Sequence, residues 1–341
     1  MSKVNDYLLK SFLGVFSSLF IILFSIASII FFINIANATS MIQINIIEFL
    51  MLYVYLLPKL LIYTIPITFF ISLCLTLFNL SKENELIVLF GLGFSPGKLS
   101  RFFIVLASLF STLLIVNIII LVPLSNQLNN NFLDYKKTKA KFNIQGSKFG
   151  QKFLNWTVYI DKVEKSKIYK NITLYNRGSA GVSPRLILAE KALTQNIQGT
   201  IRLVLKNGKI FEFQKKNIKQ VDFKKMYINY KSTPNIRYMQ TIYAFWSLAF
   251  TDKNRAYEFA FFILIALFPL TMVLTAIGIS VTISRYVSSK IYFYQFLSIL
   301  IYFSLSVIFA KINAIGAISI VSIIALLSSY AIYKRNIALR F

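Results

Sequence analysis

Six nearly uncharged stretches run along the chain, at about 11–35, 53–80, 102–124, 258–283, 291–310 and 315–333. Each has the length a helix needs to cross a hydrocarbon core about 30 Å thick. Three precede and three follow a polar segment whose pattern is different. There Trp156, Val158 and Ile160 alternate with polar neighbours, and Ile168, Ile172 and Leu174 do so with one slip, a period of two that predicts strands. Ile201–Phe213 carries Asn207-Gly208 at its centre and reads as a hairpin, since Asn-Gly tolerates the positive φ of a type I′ turn. Gly178, Gly181 and Pro184 break the run between strands. Several short strands with turns between them predict a sandwich or jelly roll. Residues 126–144 are polar and are expected to extend the third helix outward. The expected fold is an α-helical polytopic membrane protein of six transmembrane helices with an inserted all-β, jellyroll-like domain. Helices 1–3 fall in 1–124, the β domain in 125–256, and helices 4–6 with a tail in 257–341.

Composition agrees with the pattern. The chain is 57% apolar with only 14% charged residues, against roughly 25% in soluble proteins, and its mean hydropathy is +0.66. Lys3, Lys10 and Ala36-Asn37-Ala38 imitate a signal peptide, but the first apolar run is longer than the roughly 7–15 residues of a signal core. It reads as an anchor.

The net charge of +25 is concentrated in one place: residues 126–255 hold 25 Lys/Arg against 7 Asp/Glu, or +18. Lys136-Lys137, Lys215-Lys216 and Lys224-Lys225 lack the ordered aromatic platform on which single strands stack, so nucleic acid is not an expected partner. Solvated strand faces and a surface suited to a phosphorylated glycolipid both fit the charge. There is no histidine and one cysteine, Cys74, which excludes Cys/His zinc sites and an intramolecular disulfide. Cys74 reads as a small packed hydrophobe, and no cofactor is expected.

Short loops set the orientation. Lys3 and Lys10, then Lys82, Lys98 and Arg101, then Arg285 and Lys290, then Lys334, Arg335 and Arg340 mark both termini and two loops, whereas loop 36–50 carries only Glu48. Positive charge predicts a cytoplasmic side for the former, with 125–256 on the far side.

Between the second and third apolar runs lies Leu80-Ser-Lys-Glu-Asn-Glu-Leu-Ile-Val-Leu-Phe-Gly-Leu-Gly-Phe-Ser95. Glu83 and Glu85 fall in the first turns of a short helix, where acids favour the positive dipole end. Leu86, Leu89 and Phe90 repeat at helical spacing and make a small apolar face. Gly91 and Gly93 supply a stop, and Ser95-Pro96 can start the next helix. This pattern fits a capped connector between membrane helices, and equally a helix that a partner grips in a groove. Gly91 to Lys98 superficially resembles a phosphate-binding loop, but five residues separate Gly91 from Gly97 and Leu99 follows the lysine. A phosphate loop needs four and a Ser or Thr, so ATP hydrolysis would have to come from a partner.

Lys59 precedes Leu80 by 21 residues, about 32 Å of helix, which puts it near the outer headgroup level. It reads either as a snorkelling anchor or as a contact to an anionic headgroup in a cavity. Lys311, in the tight link between the last two helices, is open to the same two readings.

At these residues the chain resembles the LptF/LptG (YjgP/YjgQ) permeases of lipopolysaccharide export. The resemblance rests on Leu57-Pro58 through Pro66, on Leu80 to Leu86 and on to Gly93-Phe-Ser95, and on Asn117 and Pro123, within a three-plus-domain-plus-three layout. It implies a heterodimer of two such permeases, a cytoplasmic LptB-type ATPase dimer, and a periplasmic jellyroll passing lipopolysaccharide to an LptC/LptA-type bridge. The localisation it implies is the cell inner membrane, with both termini cytoplasmic and the LptF type as the expectation. In the family the acid of this loop contacts the ATPase, and here it is Glu85. The expected coupling helix, 81–98, thus carries Glu83, Glu85, Leu86, Leu89 and Gly93, and Lys59 and Lys311 are the candidate substrate contacts. Two departures stand out: Ile35–Ser40 has no basic residue, and the family's Glu-Leu-His-x-Arg start of the fourth helix appears as Glu258-Phe-Ala-Phe-Phe262.

Two other readings compete. A lipoprotein-releasing or efflux permease usually has four membrane helices with its large domain after the first. A structural anchor with a polymer-binding β domain would have no use for a docking helix.

Overall fold

Long apolar runs satisfy their backbone internally only as helices, and the six runs do so. In the computed structural model, which describes residues 2–39, 44–139, 151–153, 156–164, 168–178, 183–197, 200–213, 217–231, 242–281 and 290–338, the elements run as follows. Helices α1 (Ser2–Thr39), α2 (Ile46–Lys82), α3 (Glu85–Gly91), α4 (Pro96–Val116) and α5 (Val122–Lys139) come first, with a π-helical turn at Asn117–Leu121 joining α4 to α5. Strands β1 (Gln151–Phe153), β2 (Trp156–Glu164), β3 (Ile168–Asn176), β4 (Arg185–Ile197), β5 (Thr200–Phe213) and β6 (Ile218–Lys231) follow. Helices α6 (Ile242–Ser247), α7 (Lys253–Ser280), α8 (Ile291–Ile312) and α9 (Ala314–Tyr333) complete the order. Six of these segments, with α4 and α5 counted as one, are long and apolar enough to cross a membrane. Gly181, Arg285 and residues 140–144 lie outside the described residues.

The chain divides into two compact units, one of Met1–Phe32, Val54–Gln127 and Met239–Phe341 and one of Ile33–Tyr53 and Leu128–Tyr238. In the first, α2 and α7 are central: 67% and 72% of their most apolar stretches are buried, against 11% in α1. Lipid is as apolar as leucine, so small residues and polar contacts set helix–helix fit. A Cβ on Gly278 of α7 would lie 2.9 Å from Ile332 Cγ2 and 3.3 Å from the Ile332 carbonyl carbon, which lets α9 approach closely. Ser329 Oγ lies 2.6 Å from Thr275 Oγ1 and donates to the Thr271 carbonyl. Tyr302 of α8 donates to the Leu264 carbonyl at 2.8 Å. The Gly278 carbonyl, in the last turn of α7 where helical donors run out, receives Asn336 Nδ2, and Cys74 Sγ donates to the Ala276 carbonyl. Cys74 is fully buried, as its apolar setting predicts.

Pro58 and Pro66 sit inside α2, where side chains from neighbouring segments add partners to the backbone. Asn117 Nδ2 donates to the Pro58 carbonyl at 3.0 Å, Ser125 Oγ donates to the Tyr55 carbonyl, and Trp246 Nε1 donates to Ile119 within the π turn.

In the second unit the six strands form one antiparallel sheet in the order β1-β2-β3-β4-β5-β6. Every described pairing joins sequence neighbours, so the strand exchange between two sheets that a jelly roll requires is not found among the described residues. Val158, Ile160, Ile172 and Leu174 share its core with Ile187 and Leu205, as the alternation predicts.

The hairpin expected at Asn207-Gly208 is not there. β5 runs straight through it, with Lys206 and Gly208 paired to Lys191 and Ala189 on one side and to Lys225 and Phe223 on the other. The chain reverses instead between Ile197 and Thr200, which pair. The positive φ that Asn-Gly tolerates is used inside the strand: Asn207 has φ 48 and Asn171, on β3, φ 50. These asparagines flank Glu190 of β4 in one row across the sheet. Asn171 Nδ2 donates to Asp161 and Asn207 Nδ2 to Glu190. Along that row the in–out alternation slips by one residue, so that Tyr169 and Ile172 are both buried. Gly208 is demanded by contact, since its Cβ would lie 2.2 Å from the Leu188 carbonyl oxygen and 2.5 Å from Phe223 Cζ.

Candidate functional site

The segment after α2 builds a small, tightly terminated helix. Asn84 adopts a left-handed conformation, φ 64, which breaks the continuity of α2 and turns the chain into α3. The far end closes as a Schellman motif: Gly93 has φ 89, its N–H donates to the Phe90 carbonyl, and the Phe94 N–H donates to Leu89, both at 3.0 Å. Ser95 precedes α4 in extended conformation without a side-chain cap bond, and Pro96 occupies the first turn. The glycine and Ser-Pro signals therefore act as their chemistry predicts.

The inner face of α3 belongs to the core. Leu86 is 1% exposed and lies in one cluster with Leu8, Leu80, Phe94 and Leu99, against which Leu89 and Phe90 also pack. The outer face carries Ile87, Val88 and Leu92, which are 38%, 59% and 80% exposed. The residues whose spacing suggested a docking face thus point inward, and the exposed apolar face is the one behind them. A signal for it existed: Leu86 to Phe90 is apolar on every side of a single turn, so a helix at the edge of a bundle must leave half of it uncovered.

The acids separate as well. Glu83 is exposed, whereas Glu85 is half-buried and its Oε2 accepts a hydrogen bond from the Tyr7 hydroxyl at 2.5 Å. Tyr7, on α1, had no signal in the sequence, since 78 residues separate the pair.

A second charged group lies elsewhere in the first unit. Lys59 Nζ is 3.5 Å from Glu258 Oε1, and Arg255 donates to the other carboxylate oxygen at 2.8 Å. Lys59 also lies 5.9 Å from the centre of the Phe262 ring and the Arg255 guanidinium 4.3 Å from that of Phe245. Two cations thus share one carboxylate, and Glu258 is the single acid kept from the departed Glu-Leu-His-x-Arg pattern. Arg255 lies upstream of that pattern and was not singled out. Lys311 is exposed in the last turn of α8, two residues before Asn313, whose side chain caps α9 through the Gly316 N–H.

Residues 6–333 match the family described as lipopolysaccharide export system permease LptF/LptG. The chain belongs to the LptF/LptG family. A search of curated proteins finds no match. Membership makes this a multi-pass inner-membrane permease of the lipopolysaccharide export type, with the match running through both sets of membrane helices and the inserted β domain. It sets aside the lipoprotein-release and structural-anchor readings. The LptF/LptG description covers both types of permease without dividing them. Among the described residues, α3 and the partly buried Lys59–Glu258–Arg255 group are places where the fold gathers apolar or charged side chains beside buried membrane helices.

Proposed function

We propose that the chain is one permease half of an ABC-type extractor of lipopolysaccharide, paired with a second LptF/LptG-type permease and driven by an LptB-type ATPase dimer. The observation that carries this reading is the exposed Ile87–Val88–Leu92 face on a helix rigidly closed at both ends. An apolar face of this size, rimmed by Glu83 and Glu85, suits a groove with basic edges. ATP hydrolysis belongs to the partner, whose motion passes through α3 into α2 and α4.

The asymmetry of Lys and Arg in the short loops supports a cytoplasmic α3 and cytoplasmic termini, with the β domain periplasmic and passing lipid to an LptC/LptA-type bridge. At the outer end, Lys59 and Arg255 exceed the charge of Glu258 by one, so an incoming phosphate competes with a carboxylate already in place. Lys311 supplies a further cation in the last turn of α8. Co-purification tests the reading: the full chain retains the ATPase, Leu92→Asp loses most of it, and retention unaffected by that change contradicts it.

A further inference from the structure

The most directional contact at α3 comes from α1. Chain continuity ties α3 to α2 and α4, and nothing in the connectivity requires α1 to follow it. Yet Tyr7 Oη donates to Glu85 Oε2 at 2.5 Å. The next residue, Leu8, is fully buried in the cluster that holds Leu86. Phe12 then packs against Phe69, Phe103 and Phe110 at centroid distances of 5.3, 6.3 and 6.4 Å. Beyond Phe16, which packs on Phe110 at 5.3 Å, Ile21, Ile22, Ile26, Ile29 and Ile30 are all more than half exposed. The helix is thus packed at the end that touches α3, and its isoleucine-rich middle is largely exposed.

We propose that Tyr7 is a positioning residue for the coupling helix, its hydroxyl fixing the Glu85 carboxylate and making α1 move with α3. The proposal rests on α3 being the element that docks the ATPase. Apolar packing through Leu8 and Phe12 is non-directional and permits rotation. A hydroxyl bonded to one carboxylate oxygen sets the plane of that carboxylate, and so the direction of its other oxygen toward a basic partner. It also makes a displacement of α3 a displacement of the end of α1. A state change in the ATPase then reaches three membrane helices instead of two, through contacts that differ between its states. Tyr7 is 44% exposed, so the bond is not needed to satisfy a buried group, and removing the hydroxyl leaves the ring in place.

The experiment is a double-mutant cycle in the full chain assembled with its second permease and ATPase, reading ATP-driven lipid release from Tyr7→Phe, Glu85→Gln and the double variant. One hydrogen bond of this kind corresponds to about threefold to tenfold. Each single variant is expected to lose that much, and the double variant no more than the worse single. Spin labels at Ile22→Cys and Val88→Cys give a readout that does not depend on the ATPase, and buried Cys74 stays unlabelled. Their distance distribution is narrow in the otherwise unaltered chain and broadens with Tyr7→Phe. Additive losses, or wild-type release with an unbroadened distribution in Tyr7→Phe, would overturn the proposal. A wild-type chain that retains no ATPase would overturn the docking reading, and the coupling role of Tyr7 with it.

Discussion

Lys59 and Glu258 stand 3.5 Å apart, both less than a third exposed, with Arg255 on the far oxygen of the same carboxylate. The lysine is therefore neither a bare anchor in lipid nor a cation waiting for a headgroup. It is a partnered charge, and whether a headgroup phosphate displaces that partner is open to test. Lipopolysaccharide bound per purified permease is expected to be unchanged in Lys59→Arg and to fall at least threefold in Lys59→Glu, where two carboxylates face the incoming phosphate. That factor corresponds to about 0.7 kcal/mol, modest for like charges in a partly desolvated site. Glu258→Gln removes the competing acid and is expected to hold as much lipid as wild type or more. A loss in Glu258→Gln equal to that in Lys59→Glu would reduce the group to a structural ion pair.

The two faces of α3 separate by what they disturb. Leu86→Ala opens a cavity in the core and is expected to cost about 2–5 kcal/mol, visible as a lowered melting temperature of the detergent-solubilised permease. Leu92→Asp touches nothing buried and leaves the melting temperature in place. A melting temperature lowered equally by both would mean that Leu92 packs against the rest of the bundle.

Much of this fold was legible in the sequence because bilayer thickness and backbone satisfaction allow few alternatives. The six apolar runs, the helix stop at Gly93, the start at Pro96 and the Val158–Ile160 alternation each follow from one local rule. What was not legible depends on partners distant in sequence. Asn207-Gly208 states that a positive φ is tolerated, and only the packing of Leu188 and Phe223 around Gly208 decides that it serves a strand interior. Leu86 and Val88 are equally apolar, and the side of α3 that faces the core is set by Leu8, Leu80 and Leu99. Tyr7 carries no motif and acquires a role only when α1 brings it to Glu85, 78 residues away, whereas Arg255 and Glu258 are an i,i+3 pair on α7 that helical spacing alone could have found.

The kinked row in the sheet gives a sharp stability test on β5. Gly208→Ala places a methyl against the Leu188 backbone oxygen, which cannot move aside as a side chain can, and is expected to destabilise by about 1–3 kcal/mol or more. Asn207→Gly keeps the positive φ and is expected to be tolerated, whereas Asn207→Val is not. Protease resistance of the β domain in the full chain measures all three, and a resistant Asn207→Val would contradict the strand geometry.

The crossing of α7 and α9 predicts a suppressor pair. Gly278→Ala meets Ile332 Cγ2, and Ile332→Ala removes that atom, so the double variant is expected to recover part of the thermal stability that Gly278→Ala loses. Recovery stays incomplete because the Ile332 backbone remains 3.3 Å away. Equal melting of the single and double variants would show that the two helices do not meet at this glycine.

The central claim is that an ATPase partner drives this permease through the exposed face of α3, and retention of that ATPase measures it most directly. With the two permeases and the ATPase expressed together and purified through a tag on this chain, the wild type is expected to bring down the ATPase in stoichiometric amount. Val88→Asp and Leu92→Asp are expected to lose it about tenfold at unchanged permease yield, the effect of roughly 1.4 kcal/mol at a buried contact. ATPase retained at wild-type levels by both variants would contradict the account.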